Sequence, residues 1–256
     1  MFTDTHSHIH FSQEFPDIHE ILDRAQKALV SRQIIVGCTI KDSLEALDFV
    51  KFHKNFALWS TLGVHPHNAN EWNDEVEKQY RALAQEEKKI VALGEMGLDY
   101  YRNFQPQDLQ IKAFTEQLQL AKELDLPVVV HVREAWDDAL NVLKEVGNTK
   151  VILHCFTGRM EHAKTCWERG YHTSFSGVLT YIKNEYLRVV ASYAPSSQIL
   201  IETDCPFLTP QAVRGKRNEP AYVVETAKVL AECRKVSLEK VAEQTTNNAI
   251  KLFNIT

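Results

Sequence analysis

The chain has 256 residues, of which 44% are hydrophobic and 25% charged, and its formal net charge is −5. These values are typical of a globular protein and exclude a disordered chain. The acidic balance argues against a protein that wraps duplex DNA through a basic face, but not against an enzyme that handles one phosphate locally. The five cysteines form no CxxC pair, so neither a disulfide framework nor a zinc ribbon is indicated.

The first ten residues, MFTDTHSHIH, lack the cationic and apolar segments of a signal peptide. No uncharged apolar run approaches the 18 residues of a membrane span. We therefore expect a cytoplasmic protein. A monomer is the simplest expectation, with an oligomer left open because surface patches are not readable from sequence.

Short apolar runs alternate with amphipathic segments along the chain, which is the pattern of repeated βα units. In chain order this pattern predicts strands and helices alternately over Phe2–His6, Asp17–Ser31, Ile34–Cys38, Asp42–His53, Ala57–Val64, Asn73–Glu87, Ile90–Glu95, Gln107–Leu124, Pro127–His131, Glu134–Glu145, Lys150–His154, Met160–Arg169, Tyr171–Phe175, Asn184–Ser192 and Gln198–Glu202. After the eighth strand, Pro220 suits the first turn of a helix that runs to about Arg234. Ser237 then caps a last helix that ends near Phe253.

The predicted strands are apolar throughout rather than alternating, as in PVVVH at 127–131. Strands covered on both faces, as in a parallel sheet, have this composition. Eight of them predict a single α/β domain over residues 1–256, a (β/α)8 barrel with a C-terminal helical extension. A doubly wound open sheet is the alternative, although no GxGxxG follows the first strand to indicate its dinucleotide-binding form.

His6 and His8 lie at the end of the first predicted strand. Residues two apart in an extended segment project to the same side, so both imidazoles could bind one metal ion. Taken alone, the pair is equally compatible with two polar loop histidines.

Four further residues with metal-ligand side chains follow apolar strands, namely Glu95, His131, His154 and Asp204. In a barrel of this class, catalytic groups gather at the carboxyl ends of several strands. With the histidine pair they make four imidazoles and two carboxylates, too many for one catalytic ion with an open position. The set therefore predicts two divalent ions bridged by Glu95. Zinc, manganese, nickel and magnesium are all conceivable, and the imidazoles favour the transition metals.

Asp204 is the expected general base, because a carboxylate beside a metal-activated water can accept its proton. The alternative is an Asp that caps the turn before Pro206. His65, in GVHPH at 63–67, could contact the scissile phosphate or be a loop histidine. The thiols of Cys155 and Cys205 adjoin predicted ligands and are expected to have packing roles.

Two basic sites could contact a nucleic-acid backbone. Arg133, two residues beyond a predicted ligand, could bind a phosphate oxygen or pair with an acid at the following helix start. The loop Arg214-Gly-Lys-Arg217 concentrates three positive charges, and the alternative there is that Arg217 pairs with Glu219 or another acid. Aromatic side chains that could stack on a base, or pack their own loop, are Tyr100, Tyr101 and Phe104.

Seven segments resemble, in order, the TatD family of metal-dependent hydrolases and deoxyribonucleases, which are amidohydrolase-like barrels. They are DTHSH at 4–8, GVHPH at 63–67, GEMGLDYYRN at 94–103, PVVVHVR at 127–133, LHCFTG at 153–158, ETDCPFLTP at 202–210 and RGKRNEP at 214–220. The resemblance implies one metal ion held by His6, His8, Glu95 and Asp204, and a second held by Glu95, His131 and His154. It also implies exonuclease-like hydrolysis of phosphodiester bonds, with single-stranded DNA as the substrate.

Two other functions stay open. An amidohydrolase or esterase that cleaves a C–N or C–O bond would use the same two ions, since the fold does not determine the substrate. Relatives that bridge their ions with a modified lysine need a lysine at a strand end, where this chain has Glu95. A non-catalytic metal-binding barrel would close its coordination shell, which leaves no position for water.

Overall fold

Eight parallel strands form a nearly closed barrel, in which each strand pairs with the next one along the chain. The computed structural model describes residues 1–256. The strands are β1 (Phe2–Ser7), β2 (Val30–Ile35), β3 (Ala57–Leu62), β4 (Ile90–Asp99), β5 (Val128–Arg133), β6 (Val151–Leu153), β7 (His172–Phe175) and β8 (Ile199–Ile201). The predicted (β/α)8 barrel is confirmed.

Helices surround the barrel and follow the strands in turn. They are α1 (Ile18–Lys27), α2 (Ile40–Phe52), α3 (Asp74–Glu86), α4 (Gln107–Glu123), α5 (Trp136–Val146), α6 (Met160–Glu168), α7 (Glu185–Tyr193), α8 (Val223–Arg234) and α9 (Leu238–Phe253). Short 3-10 helices cover Pro66–Glu71, Gly177–Thr180, Gln211–Val213 and Pro220–Tyr222. No helix combines the length and hydropathy needed to cross a bilayer.

All eight strands differ from the predicted bounds by at least one residue, and β2 and β4 differ most, by four residues at one end. β2 begins at Val30 rather than Ile34, directly after Leu29, whose backbone is left-handed with φ 62°. After Val30 the strand continues with three polar residues, Ser31, Arg32 and Gln33, so hydropathy alone does not reveal its first half. β4 continues past Glu95 to Asp99, and its two glycines, Gly94 before Glu95 and Gly97 after it, interrupt the apolar run from which the strand is predicted.

The barrel closes where β8 meets β1. The buried Asp4 carboxylate accepts hydrogen bonds from the backbone N–H of Thr203 at 2.9 Å and from its hydroxyl at 2.6 Å. One residue further on, the backbone N–H of Asp204 donates to the carbonyl of His6 at 2.9 Å. This seam places the residue that follows β8 beside the histidines of β1.

The final helix packs against the amino-terminal end of the barrel. Phe253 and Ile255 are 3% and 4% exposed and belong to one apolar cluster with side chains from the strands. Asn248 on the same helix donates to the carbonyl of Ile199 at 2.9 Å, at the start of β8. The opposite, carboxyl end of the barrel carries the polar side chains described next.

Candidate metal centre

All six predicted ligands come together at the carboxyl end of the barrel. They are His6 and His8 around the end of β1, Glu95 in β4, His131 in β5, His154 after β6 and Asp204 after β8. Their facing nitrogen and oxygen atoms lie between 2.9 and 3.6 Å apart. Two ligands of one tetrahedral zinc ion lie about 3.3 Å apart, so the side chains are spaced as shared cations require.

Glu95 stands between two groups of histidines. Its Oε2 faces His6 Nε2 at 3.4 Å, on the β1 side. Its Oε1 faces His131 Nδ1 at 3.0 Å and His154 Nε2 at 2.9 Å, on the opposite side. Because each oxygen addresses a different group, the carboxylate has the orientation of a bridging ligand.

The group on the β1 side is completed by Asp204. The Nε2 atoms of His6 and His8 lie 3.2 Å apart, and Asp204 Oδ1 lies 3.6 and 3.5 Å from them. Asp204 has a left-handed backbone with φ 56°, which follows from its position at the barrel seam. Its side chain is 13% exposed, so its carboxylate borders the cavity.

The outer contacts of the histidines determine which nitrogen faces the centre with a lone pair. His8 Nδ1 lies 2.9 Å from the carbonyl of Val36, and a carbonyl only accepts, so Nδ1 carries the proton. His154 Nδ1 similarly donates to Glu202 Oε1 at 3.3 Å. In its neutral form each ring therefore points a lone pair on Nε2 at a carboxylate oxygen, which is repulsive unless a proton or a metal cation lies between them. The site fits divalent cations on this ground.

In His131 the two ring nitrogens have the opposite roles, so that Nε2 makes the outer hydrogen bond and Nδ1 faces the centre. Its Nε2 donates to Asp99 Oδ2 at 3.3 Å, which leaves the Nδ1 lone pair toward Glu95. Asp99 Oδ2 also accepts from His67 Nε2 at 2.9 Å, and Asp99 Oδ1 accepts from the backbone of Arg102 at 2.8 Å. Neither Asp99 nor the carboxylate behind His154 was predicted. Glu202 ends the predicted eighth strand, so the signal that revealed the six ligands could have revealed it too, whereas Asp99 lies four residues beyond the predicted end of the fourth strand.

Protonation equilibria show how strongly these groups interact. Burial alone would raise the pKa of Glu95, but the neighbouring His154 and His65 hold it well below its usual range. Burial would lower the pKa of His154, yet the charge of Glu95 raises it well above the ordinary value. The buried carboxylate thus attracts positive charge to the site, whether from protons or from metal ions.

A cavity of about 540 Å³ opens over the centre, and His65 and Arg133 both line it. His65 Nε2 lies 3.3 Å from Glu95 Oε1, and burial lowers the pKa of His65 to about 4. The guanidinium of Arg133 is exposed and stacks on Tyr101, 4.0 Å from the ring centre. It does not form the ion pair at the helix start that was the alternative.

Arg217 is held away from this cavity. Its guanidinium donates to Asp17 Oδ1 at 2.6 Å and to the carbonyl of Glu14 at 2.6 Å, and it is absent from the cavity lining. The structure therefore favours the alternative expectation, an ion pair with an acid elsewhere in the chain. The acid is Asp17 rather than Glu219, which instead pairs with Arg24 at 2.8 Å.

The aromatic residues and thiols near the centre differ in exposure. Tyr101 and Phe104 are 55% and 62% exposed, whereas Tyr100 packs against the apolar core and donates to Asp138 of α5 at 2.7 Å. Cys205 is fully buried among apolar side chains, as expected. The half-buried Cys155 lines the cavity, and its sulfur lies 3.1 Å from Ser176 Oγ rather than toward a ligand.

Comparison with known proteins gives consistent matches along the chain. Residues 3–254 match the model of a family described as TatD related DNase. The uncharacterized metal-dependent hydrolase YabD of Bacillus subtilis is 39% identical over 100% of both chains. The 3'-5' ssDNA/RNA exonuclease TatD of Erwinia amylovora is 37% identical over 93% of this chain and 94% of its own. The crystal structure of YjjV, a TatD homologue from Escherichia coli, superposes with a TM-score of 0.93 at 29% identity, covering 100% of this chain and 98% of that one.

Proposed function

The chain belongs to the TatD family of metal-dependent hydrolases, and from this premise we propose that it is a deoxyribonuclease that removes nucleotides from single-stranded DNA. The observation that carries the proposal is the environment of Glu95, whose Oε2 faces His6 and whose Oε1 faces His131 and His154. Pairs of divalent ions about 3.5–4 Å apart recur in phosphatases and nucleases, where they act on both sides of a phosphoryl group.

Two divalent cations would share Glu95, with His6, His8 and Asp204 around one, and His131 and His154, whose facing nitrogens lie 3.3 Å apart, around the other. Bound there, the cations supply Lewis acidity that stabilises charge on the phosphodiester and eases the ionisation of water. The imidazole-rich set suits zinc, manganese or nickel better than magnesium.

Asp204 acts as the general base in this proposal. Its Oδ1 faces the histidines, so Oδ2 is the oxygen left to accept a proton from water at the cavity wall. Arg133 binds a non-bridging phosphate oxygen, since its guanidinium is exposed at the cavity and has no acidic partner. His65, whose ring lies 4.7 Å from that of His131, contacts the same phosphate. We assign Arg217 to its ion pair and not to the substrate.

The part of the single-stranded DNA beyond the scissile bond would lie on the protein surface around the mouth of the cavity. Tyr101 and Phe104 expose ring faces on which bases can stack without sequence preference. With a net charge of −5, the protein offers little long-range attraction to a polyanion, so we expect weak binding outside the metal centre. Stacking does not distinguish DNA from RNA, and the relative from Erwinia is named for both, so RNA is tested in parallel.

The direct test is incubation of purified protein with single-stranded DNA, duplex DNA and RNA of one sequence, each labelled at either end. Magnesium, manganese and zinc are supplied in separate reactions. We expect stepwise shortening of the single strand from one end. No shortening with any of the ions, combined with turnover of an amide or lactone, would overturn the proposal in favour of an amidohydrolase or esterase.

Asp204→Asn tests the assignment of the base. The variant keeps the shape of the side chain but loses its proton-accepting charge, so we expect kcat on the oligonucleotide to fall by about 10²–10⁴-fold. Asp137→Asn, the same change at an exposed position on α5, should leave kcat unchanged. Circular dichroism and metal content of both proteins control for folding and loading. Equal rates for the two variants would remove Asp204 from the mechanism.

A further inference from the structure

A thiol lies beside the bridging carboxylate and has no part in the function proposed above. Cys38 follows β2, is half-buried and lines the cavity. Its Sγ lies 3.5 Å from Glu95 Oε2, the oxygen on the β1 side. Cys38, His8 and Glu95 form a group in which all ligand atoms lie within 4.8 Å of one another.

The backbone of Cys38 is held from both sides. Its N–H donates to Asp42 Oδ2 at 2.7 Å, and its carbonyl accepts from the backbone N–H of His65 at 2.9 Å. The other oxygen of Asp42 pairs with His10 Nε2 at 2.7 Å, which orients the carboxylate. The position of the sulfur is therefore set by a hydrogen-bonded loop, so the thiol is presented to the centre without rearrangement of the backbone.

We propose that Cys38 is a ligand of the cation held by His8 and Glu95, and that its sulfur makes this position selective for zinc over magnesium and manganese. The proposal rests on the metal centre of the proposed function. Zinc binds sulfur at about 2.3 Å and oxygen at about 2.1 Å, so two such ligands of one ion lie about 3.1 Å apart at a right angle and about 3.8 Å apart at about 120°. The observed separation of 3.5 Å between Sγ and Oε2 lies in this range, which a five-coordinate ion also satisfies.

Coordination replaces the S–H bond with a metal–sulfur bond, and the released proton passes to solvent through the cavity. Thiolate is a soft ligand that magnesium and manganese bind poorly, which gives the selectivity. Cys155 shows that lining the cavity is not sufficient. Its sulfur contacts Ser176 Oγ, and it belongs to no group of candidate ligand atoms.

The test is the absorption spectrum of the full chain loaded with cobalt(II). Ligation by sulfur produces a thiolate-to-metal charge-transfer band in the near ultraviolet, and we expect this band in the wild type. Cys38→Ser should lose it, and Cys155→Ser, which removes the second thiol of the same cavity, should keep it. We also expect the dissociation constant for zinc to rise about tenfold or more in Cys38→Ser, with that for magnesium changed less than about twofold.

A second measurement needs no variant. Zinc should protect Cys38 of the wild type from alkylation by iodoacetamide, mapped by peptide mass spectrometry, and magnesium should not. Protein that holds cobalt but shows no band, an undiminished band in Cys38→Ser, or equal alkylation with zinc and magnesium would overturn the proposal. Oligonucleotide cleavage by the same wild-type samples is scored separately, so a missing thiolate ligand is distinguished from a missing nuclease activity.

Discussion

Glu202 lies behind the metal centre as a fully buried carboxylate. Its Oε1 accepts from His154 Nδ1 at 3.3 Å and from the backbone N–H of Cys155 at 2.6 Å. These two contacts select the tautomer of His154 and the direction of its ring. A carboxylate in this place also increases the basicity of the nitrogen that faces the metal.

Glu202→Ala should therefore weaken metal binding without removing a ligand. We expect the dissociation constant for zinc, measured by calorimetric titration, to rise about 10–100-fold. Glu202→Gln should recover most of the loss, because its carbonyl oxygen accepts the same hydrogen bonds. Glu243→Ala, at an exposed position on α9, is the control and should bind zinc as the wild type does. Unchanged affinity in Glu202→Ala would show that the ring of His154 is oriented by other contacts.

Some residues of the candidate site could be predicted from the sequence, and others could not. The six ligand candidates follow apolar strands, and the structure brings them together, although their binding of metal stays a prediction. Glu202 was missed because Asp204, two residues further on, was assigned as the ligand after β8, and Asp99 because the fourth strand was predicted to end at Glu95. Cys38 ends a predicted strand but, unlike Cys155 and Cys205, adjoins no predicted ligand in the sequence, so it was not considered. The partner of Arg217 is 200 positions away at Asp17, and no local pattern reveals such a pairing.

At the scale of elements, the close approach of β4 to β5 is the feature that joins the two halves of the centre. Gly94 and Gly97 have φ values of 128° and 140°, a region that favours glycine. A Cβ atom at Gly97 would collide with the carbonyl of His131, and one at Gly94 with that of Val129. Glycine at these positions lets the strands meet so that Glu95 reaches His131.

Gly97→Ala should separate the two strands. We expect a loss of about 3 kcal/mol or more in the free energy of unfolding, from backbone strain together with the steric collision. Gly170→Ala is a matched control, since Gly170 also has a positive φ of 79° but no atom lies within 4 Å of its added Cβ. It should cost about 1–2 kcal/mol. Urea unfolding measures both losses. Equal losses would show that the contact between β4 and β5 does not restrict position 97 to glycine.

The number and order of the elements could be predicted because apolar runs and helical spacing alternate so regularly. Their ends could not, since they depend on contacts between elements. β2 starts among polar residues that hydropathy does not mark, and Gln33 in this stretch is 3% exposed inside the fold. The glycines of β4 are typical of a turn when judged in isolation, and only the neighbouring strand explains them.

At the scale of the whole molecule, the two ends of the barrel differ in the side chains that they carry. The carboxyl end carries the polar centre and the cavity. The amino end is covered by α9, where Phe253 packs with strand residues in an apolar cluster, among them Ile34, Trp59, Val129, Ile152 and Leu200. The sequence predicted a helical tail but not where it packs. In barrels of this type, residues at the amino end commonly contribute to stability and residues at the carboxyl end to catalysis.

Truncation of the Phe253 side chain tests whether stability at the amino end of the barrel is independent of metal binding at the carboxyl end. Phe253→Ala leaves a void between α9 and the barrel floor, so we expect a loss of about 3–5 kcal/mol in the free energy of unfolding. Phe52→Ala removes the same atoms from a side chain that is 78% exposed and should change stability by less than about 0.5 kcal/mol. Because the metal ligands lie at the opposite end, zinc affinity and the cobalt spectrum of folded Phe253→Ala should equal those of the wild type. A weakened metal centre in this variant, at a temperature where it remains folded, would mean that the floor and the rim of the barrel are coupled through the strands.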